Sequence, residues 1–325
     1  MLRHRLFLIC TALPALLATA AIHAAQPYPD RPIRMVVPWS PGGGSDVSGR
    51  ILAAKLTDAL AQQVVVDNRP GAGGNIGTAL TAKTAPDGYT LLLADTGFST
   101  GISLYGNPGY HPIKDFAPAS LAATTPIVVA VHPSVAATSL KELIALARAQ
   151  PGKLNAGSGG TGGSVHLAGE MFQLQTGTKI THVPYKGSGP AVIDLTAGIV
   201  QVMFSTAPPV VPLIKAGRIR AIAVASNARS SFLPDVPTTR EAGLPDFVAD
   251  NWYGVLVPAG TPKPVIERLH LEIAKAVVQP DARMRFEGAG LEVHPSRSPQ
   301  EFGQFVENDV ARWARVIKQA NIRLE

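Results

Sequence analysis

The chain has 325 residues, 46% apolar and 16% charged, with 31 Gly, 28 Pro and one Cys. So low a charge excludes an intrinsically disordered chain, glycine without a three-residue period excludes collagen, and a lone cysteine excludes a disulfide-stapled miniprotein. The formal charge of +6 would suggest nucleic acid if the basic residues were clustered, but they are scattered and densest at the extreme N-terminus.

Arg3, His4 and Arg5 precede an uncharged apolar run, Leu6 to Ala21, and Ile22-His23-Ala24-Ala25 supplies small residues for cleavage. This reads as a secretory signal peptide over residues 1–25. The run falls short of the roughly 20 apolar residues a bilayer needs, and Pro14 interrupts it; no later segment is long enough to span. Cys10 lies too early in the run for a lipid anchor. Cleavage leaves no cysteine, and 27 basic against 23 acidic residues, a net of +4. An exported, soluble, mildly basic protein is expected.

Beyond the leader, short apolar runs alternate with helical patterns. Ile33 to Val37 predicts a strand, followed by a Gly-rich loop and a helix from about Asp46 to Leu60. Val64 to Val66 predicts a second strand, and a Gly-rich turn from Gly71 leads to a short helix through Lys83. Tyr89 to Ala94 and Ile127 to Val131 are further strands. Ser139 and Glu142 form a capping-box pattern for a helix to Gln150. Strands follow at Leu154–Ala156, Ile180–Val183, Val200–Phe204 and Ile219–Val224, separated by helices near 164–176, 190–197 and 209–216. Trp252 to Val257 is a late strand. The next helix carries Val265, Leu269, Ile273 and Val277. Ser298, Pro299 and Glu301 open a last helix whose Phe302, Phe305, Val306, Val310, Trp313 and Ile317 have the period of a core face. Strands that are continuous apolar runs between helices predict a parallel, doubly wound α/β sheet covered on both faces.

Two loops carry most of the chemistry. Pro38-Trp39-Ser40-Pro41-Gly42-Gly43-Gly44-Ser45-Asp46 links the first strand to the first long helix. Gly157-Ser158-Gly159-Gly160-Thr161-Gly162-Gly163-Ser164 precedes the helix containing His166 and Glu170. Each brings backbone N–H groups to a helix N-terminus, a ready anion site, although such a turn also exists without a ligand. Neither contains the Lys of a phosphate-binding P-loop, and only Gly157, Gly159 and Gly162 loosely match a dinucleotide fingerprint. A carboxylate suits an exported protein better than a nucleotide. Asp46, in the first helical turn, either complements the helix dipole or orients a ligand. In the loop His182 to Pro190, Tyr185 either walls a pocket or packs in a turn, and Lys186 either steers an anion or is solvated. Asp95-Thr96-Gly97-Phe98-Ser99-Thr100 is similarly placed after the third strand.

Catalytic patterns are lacking. The six histidines outside the leader show no metal-ligand spacing, and no G-x-S-x-G elbow occurs. Catalytic residues, metal ligands and cofactors are therefore all expected to be none. An exported α/β hydrolase of small esters is the alternative, and a purely structural envelope protein a third reading.

Several segments together resemble one family. Tyr28-Pro29-Asp30-Arg31-Pro32-Ile33, Val37 through Asp46, and Val66-Asp67-Asn68-Arg69-Pro70-Gly71-Ala72-Gly73-Gly74-Asn75 are similar to the opening of the tripartite tricarboxylate transporter substrate-binding proteins, the Bug family. The likeness continues in Pro86 to Leu91, Pro184 to Gly187, Ala216 to Ala221 and Trp252 to Pro262, in order along the chain. It implies a periplasmic binding protein of type II-like architecture: two doubly wound lobes closing on a cleft. The ligand would be a small carboxylate, of di- or tricarboxylate or acidic amino acid type. It would be held by backbone N–H groups and waters at Ser40, Gly42, Gly43, Gly44, Ser45 and Asp46 and in the stretch containing Ser158, Gly160, Thr161, Gly162, Gly163 and Ser164. Trp39, Thr96, Tyr185 and Lys186 complete the expected ligand-binding set. Ser205-Thr206-Ala207-Pro208 also lines the cleft in such folds. The expected partners are that ligand and integral-membrane transporter subunits or a sensor kinase, with no nucleic acid; the protein itself is expected to be a monomer. Because the strand from Trp252 begins after the second run of α/β units has ended, the lobes are expected to be discontinuous: 26–125 with 251–325, and 126–250.

Overall fold

Asp95 to Thr100 departs first from the sequence expectation: it opens a helix, buried over Thr96 to Gly101, rather than forming a loop. In the computed structural model, which describes residues 28–319 and 321–323, this is α3 (Thr96–Tyr105), with Asp95 as its N-cap. The leader assigned to residues 1–25 lies outside the described residues. Before α3 the chain forms β1 (Ile33–Val37), α1 (Gly44–Leu60), β2 (Val64–Asn68), α2 (Asn75–Ala82) and β3 (Thr90–Ala94). Strands β2, β1 and β3 are parallel neighbours, so β1 is central and ends at the first Gly-rich loop.

The next strand, β4 (Phe116–Val131), is far longer than the expected Ile127–Val131. Its first part pairs antiparallel with β9 (Asp250–Pro258), which itself lies antiparallel to β3. Its last five residues pair instead with β7 (Val202–Thr206) and β8 (Arg220–Val224), both antiparallel. The register shifts around Pro118, and Pro126 stands where the partner changes. Prolines are confined to such edges and irregularities because they cannot donate to a ladder.

Between β4 and β8 lie α4 (Leu140–Ala149), β5 (Asn155–Ser158), α5 (Ser164–Thr176), β6 (Thr181–Pro184), α6 (Ser188–Thr196) and, after β7, α7 (Ala207–Lys215). Here β6, β5 and β7 run parallel. The expected parallel winding therefore holds for β2-β1-β3 and for β6-β5-β7, whereas β4 and β9 make the whole sheet mixed. The chain closes with α8 (Lys263–Val278), α9 (Pro280–Gly288), a two-residue β10 (Glu292–Val293) against β4, and α10 (Pro299–Gln319).

Two lobes result, each an α/β sandwich with its own interior. Leu52, Leu56, Met35, Leu93, Tyr253 and Leu269 are all buried in one cluster, and Trp252, Phe302, Phe98 and Phe116 extend that lobe on the other face of its sheet. Phe172, Phe204, Phe247 and Leu143 fill the second lobe, and Leu195, Met203 and Val210 cover its opposite face. Of the face expected on α10, Phe302, Val306, Trp313 and Ile317 are buried and Val310 partly so, but Phe305 is exposed and packs edge-on against Trp252, whose Nε1 donates to Asp309 at 2.8 Å. Trp313 and Ile317 pack on Leu167 of α5, so α10 touches both lobes. Both Gly-rich loops leave the carboxyl ends of parallel strands, where open α/β sheets form their crevices.

Candidate functional site

The first Gly-rich loop ends at Gly43, whose extended backbone (φ −85°, ψ 174°) caps α1 without any side-chain cap bond. The second ends at Gly163, likewise extended (φ −72°, ψ 163°) and likewise without a side-chain cap on α5. First-turn N–H groups that no side chain takes carry the positive end of the helix dipole. Both ends open on one narrow cleft, lined by Gly43, Gly44 and Ser45 from the first lobe and by Gly163, Ser164 and Val165 from the second. No Lys, Arg or His lines it.

Each loop is held in shape from behind. Asp46 does not face the cavity; its carboxylate accepts from the Gly42 N–H at 2.9 Å and from Asn68 Nδ2 at 3.0 Å, and Arg50 pairs with it. In the second loop the Gly160 N–H donates to Ser158 Oγ (3.1 Å), which lies 2.6 Å from His182 Nε2. The Gly162 N–H donates to His166 Nδ1 at 3.2 Å, and the His166 and His182 rings lie against each other, tilted by 33° with centroids 4.2 Å apart. Accepting that bond requires an unprotonated Nδ1. Burial, helped by His182, pushes the His166 pKa down to about 3, so the ring is neutral at ordinary pH.

Across the cavity floor, Asp95 accepts from Ser45 Oγ (2.7 Å) and from the Gly97 N–H (2.9 Å). Burial pushes its pKa up to about 6, against the opposing pull of its hydrogen bonds to Ser45 and Gly97. Strand β9 adds Asn251 and Tyr253, and β7 adds Thr206. Trp39 Nε1, Thr206 Oγ1 and Tyr253 OH are buried without a hydrogen-bond partner in the chain. Trp39 faces Asp95, and Tyr253 faces Asn251 and Thr206, closely enough to act electrostatically but without hydrogen-bond geometry. Buried orphans are few in native proteins, and each calls for an explanation; here three converge on one cavity. Burial also raises the Tyr253 pKa, so its phenol stays protonated and can donate.

The lobes meet around this cavity. Ser40 of the first lobe bonds the Lys186 carbonyl of the second. Thr100 Oγ1 donates to the Gly162 carbonyl at 2.7 Å, and Tyr105 OH to the Thr161 carbonyl at 3.1 Å.

Residues 49–322 match the family described as "Tripartite tricarboxylate transporter family receptor", known as TctC. The chain belongs to this family. Among TctC relatives, BugT of Bordetella pertussis is 41% identical over 314 residues, covering 95% of this chain and 96% of that protein. The periplasmic binding protein BugD is 35% identical with a TM-score of 0.87, over 92% of this chain and 100% of that one. Rpa4515 of R. palustris, solved with adipate, is 36% identical with a TM-score of 0.88, over 91% and 99%. MatC of Rhodopseudomonas palustris, solved with bound malate, is 31% identical with a TM-score of 0.85, over 89% and 100%. The TctC fold is thus that of periplasmic binding proteins, and the family is one of receptors. Among the described residues, no helix is long and apolar enough to cross a membrane.

Of the TctC-type ligand residues expected from sequence, the structure gathers Trp39, Gly43, Gly44, Ser45, Gly163 and Ser164 around the cavity. The others stand behind or beside it. Gly42, Asp46, Ser158, Gly160 and Gly162 shape the loops, while Thr161 and Ser40 join the lobes. Thr96 is buried, its N–H bound to Asn251 Oδ1 at 3.1 Å. Tyr185 OH donates to Asp194, and the Lys186 side chain is exposed. Asp95, Val165, Ser188, Asn251 and Tyr253 line the cavity without having been expected as ligand residues. Only Asp95 had a usable local signal, as an N-cap residue ahead of Gly97. The others arrive through tertiary pairing.

Proposed function

We propose that this protein captures a small carboxylate, of di- or tricarboxylate or acidic amino acid type, between its lobes. It then presents the solute to the membrane subunits of a tripartite tricarboxylate-type transporter or to a sensor kinase. One observation carries the reading: two helix N-termini without side-chain caps, one from each lobe, open on the same cavity, and no basic side chain lines it. Such ends bind anions through backbone N–H groups. The adipate and malate of the two relatives support the ligand class.

Trp39, Gly44, Ser45, Gly163 and Ser164 act as ligand contacts, joined by the Tyr253 and Thr206 hydroxyls. The first lobe takes 26–125 with 251–325 and the second 126–250. The separate buried cores support this division, since one draws on Ile33 to Ala123 and Trp252 to Val306 and the other on Ile127 to Ala249. Export by residues 1–25 places the protein in the periplasm, where it works as a monomer and the lobes close on the ligand as hinged bodies.

The test is calorimetric titration with C4–C8 dicarboxylates and their monoamides. A diacid that engages both helix ends should bind at least tenfold more tightly than its monoamide. Charge-assisted hydrogen bonds contribute about 1.5–3 kcal/mol, and about 1.4 kcal/mol is tenfold in affinity. Equal affinities would reject the two-ended grip.

A further inference from the structure

The cavity that should receive a carboxylate already holds one. Asp95 lines it and is 6% exposed. Its carboxylate rests on two neutral donors, the Ser45 hydroxyl and the Gly97 N–H, with Trp39 facing it. The titratable groups packed against it are phenols, Tyr253 from β9 and Tyr110 from the segment after α3. The second lobe contributes Gly159, Gly163, Ser164, Val165, Ser188 and Thr206, none of which titrates. A buried carboxylate ordinarily keeps its charge beside a basic partner. Asp95 has none in the cavity lining.

We propose that the ligand binds together with one proton, held between Asp95 and the nearer ligand carboxylate, so that Asp95 is the residue that makes capture pH-dependent. This rests on the carboxylate reading above. Two carboxylates in one water-poor site do not both stay ionised, and the apparent pKa of the pair rises strongly. The proton comes from solvent on binding and returns on release. In its acid form Asp95 turns from a repelling charge into a hydrogen-bond donor aimed at the ligand. Burial, net of the opposing hydrogen bonds, already holds the free protein's Asp95 at a pKa of about 6, so near neutrality the step is small. The linkage has a definite sign: affinity is highest at and below about pH 6, while the ligand remains ionised. Above that, Kd rises by up to about tenfold per pH unit.

The experiment titrates adipate, malate and a C4–C8 dicarboxylate series into the full chain at pH 5.5–8.5. At pH 7.5 each titration is repeated in buffers of different ionisation heat, which counts protons taken up. The wild type should take up close to one proton per ligand. Asp95→Asn keeps the shape and mimics the acid form. It should take up none, give a flat pH profile, and bind more tightly than wild type at pH 8. Dicarboxylate binding to wild type without proton uptake overturns this inference and leaves the carboxylate reading standing. So does an Asn variant that binds more weakly at every pH, which would make Asp95 a charged partner for a ligand amine. Binding of none of these carboxylates overturns both. The proton count on wild type stands even if the variant folds poorly.

Discussion

The Lys186 carbonyl oxygen accepts two hydrogen bonds from Ser40, one from its backbone N–H at 3.1 Å and one from its hydroxyl at 2.7 Å. A residue of the first ligand loop thereby ties one lobe to the other, using only the main chain of a residue whose side chain is exposed. Ser40→Ala removes one bond of the pair, a net loss of about 0.5–1.5 kcal/mol. If the tie favours the closed state, apparent Kd should rise by about 2–10-fold through a smaller competent population. Lys186→Ala keeps the carbonyl and should stay within about twofold of wild type. Titrating both variants with the best dicarboxylate decides the matter; a Lys186 variant weaker than the Ser40 variant would assign the affinity to the ammonium instead.

Gly44 and Gly43 are adjacent in the same loop, yet the structure predicts opposite tolerance. A Cβ at Gly44 would come within 2.3 Å of Tyr253 OH and 2.6 Å of Thr206 Oγ1. At Gly43 it would lie 3.5 Å from Ser188, an ordinary contact. Gly44→Ala should lower stability by about 1–3 kcal/mol and weaken binding at least tenfold, while Gly43→Ala should remain close to wild type in stability. Adding Tyr253→Phe to Gly44→Ala removes the nearest clashing atom and should recover part of the stability. Denaturant melts of the three variants make the comparison; no recovery in the double variant would mean that the helix end itself, not the hydroxyl, resents the methyl.

Asp95 and His166 should bend the pH–stability curve in opposite directions. The Asp95 pKa is raised from 3.8 to about 6 in the folded chain. Its folded form holds the extra proton between those values, so its contribution is fully present below pH 3.8 and is lost as pH rises through 6, about 3 kcal/mol in all. The His166 pKa falls from 6.5 to about 3. Its contribution is present above pH 6.5 and is lost as pH falls through 3, by up to about 5 kcal/mol. Asp95→Asn should therefore stabilise the ligand-free protein at pH 7.5 and not at pH 4. His166→Asn keeps an acceptor for the Gly162 N–H without the titration, and should flatten the loss between pH 6.5 and 4. Urea unfolding at the three pH values reads both effects.

Local signals were the legible part of this fold. The starts of α4, α5 and α10 at Leu140, Ser164 and Pro299 follow from residues within a few positions of each helix end. In α4, for example, the Glu142 N–H donates to Ser139 Oγ at 3.3 Å. The two Gly-rich loops could be read as helix N-termini because backbone N–H groups need only chain order to be placed. The first part of β4 was hidden by Pro118, which sits at a register shift of the antiparallel ladder, and by Pro126, which stands where the partner strand changes. Helix α3 was hidden by its burial: Thr96 to Gly101 is buried throughout, so it shows no amphipathic stripe. The cavity floor was least legible of all. Asn251 and Tyr253 reach Asp95 only because β9 returns to pair with β3 from more than 150 residues away, and no local pattern encodes that return.

Trp39 offers the most direct reading of ligand capture. Its ring lies between the lobes: a Cβ on Gly97 of the first would meet its Cζ2 at 2.7 Å, and one on Gly163 of the second its Cη2 at 3.2 Å. Its Nε1 is buried and unpartnered beside Asp95. The other two tryptophans, Trp252 and Trp313, are buried in helix packing away from the cavity. A ligand-dependent change in intrinsic fluorescence should therefore come from Trp39 and disappear in Trp39→Phe. That variant keeps most of the aromatic wedge but lacks the N–H. If the indole donates to a bound carboxylate, its loss removes a charge-assisted bond of about 1.5–3 kcal/mol, so Kd should rise by about 10–100-fold. Fluorescence titration and calorimetry on the same samples separate wedge from donor. A persistent fluorescence change would move the reporter to Trp252 or Trp313. Unchanged affinity would mean that Trp39 spaces the lobes without touching the ligand.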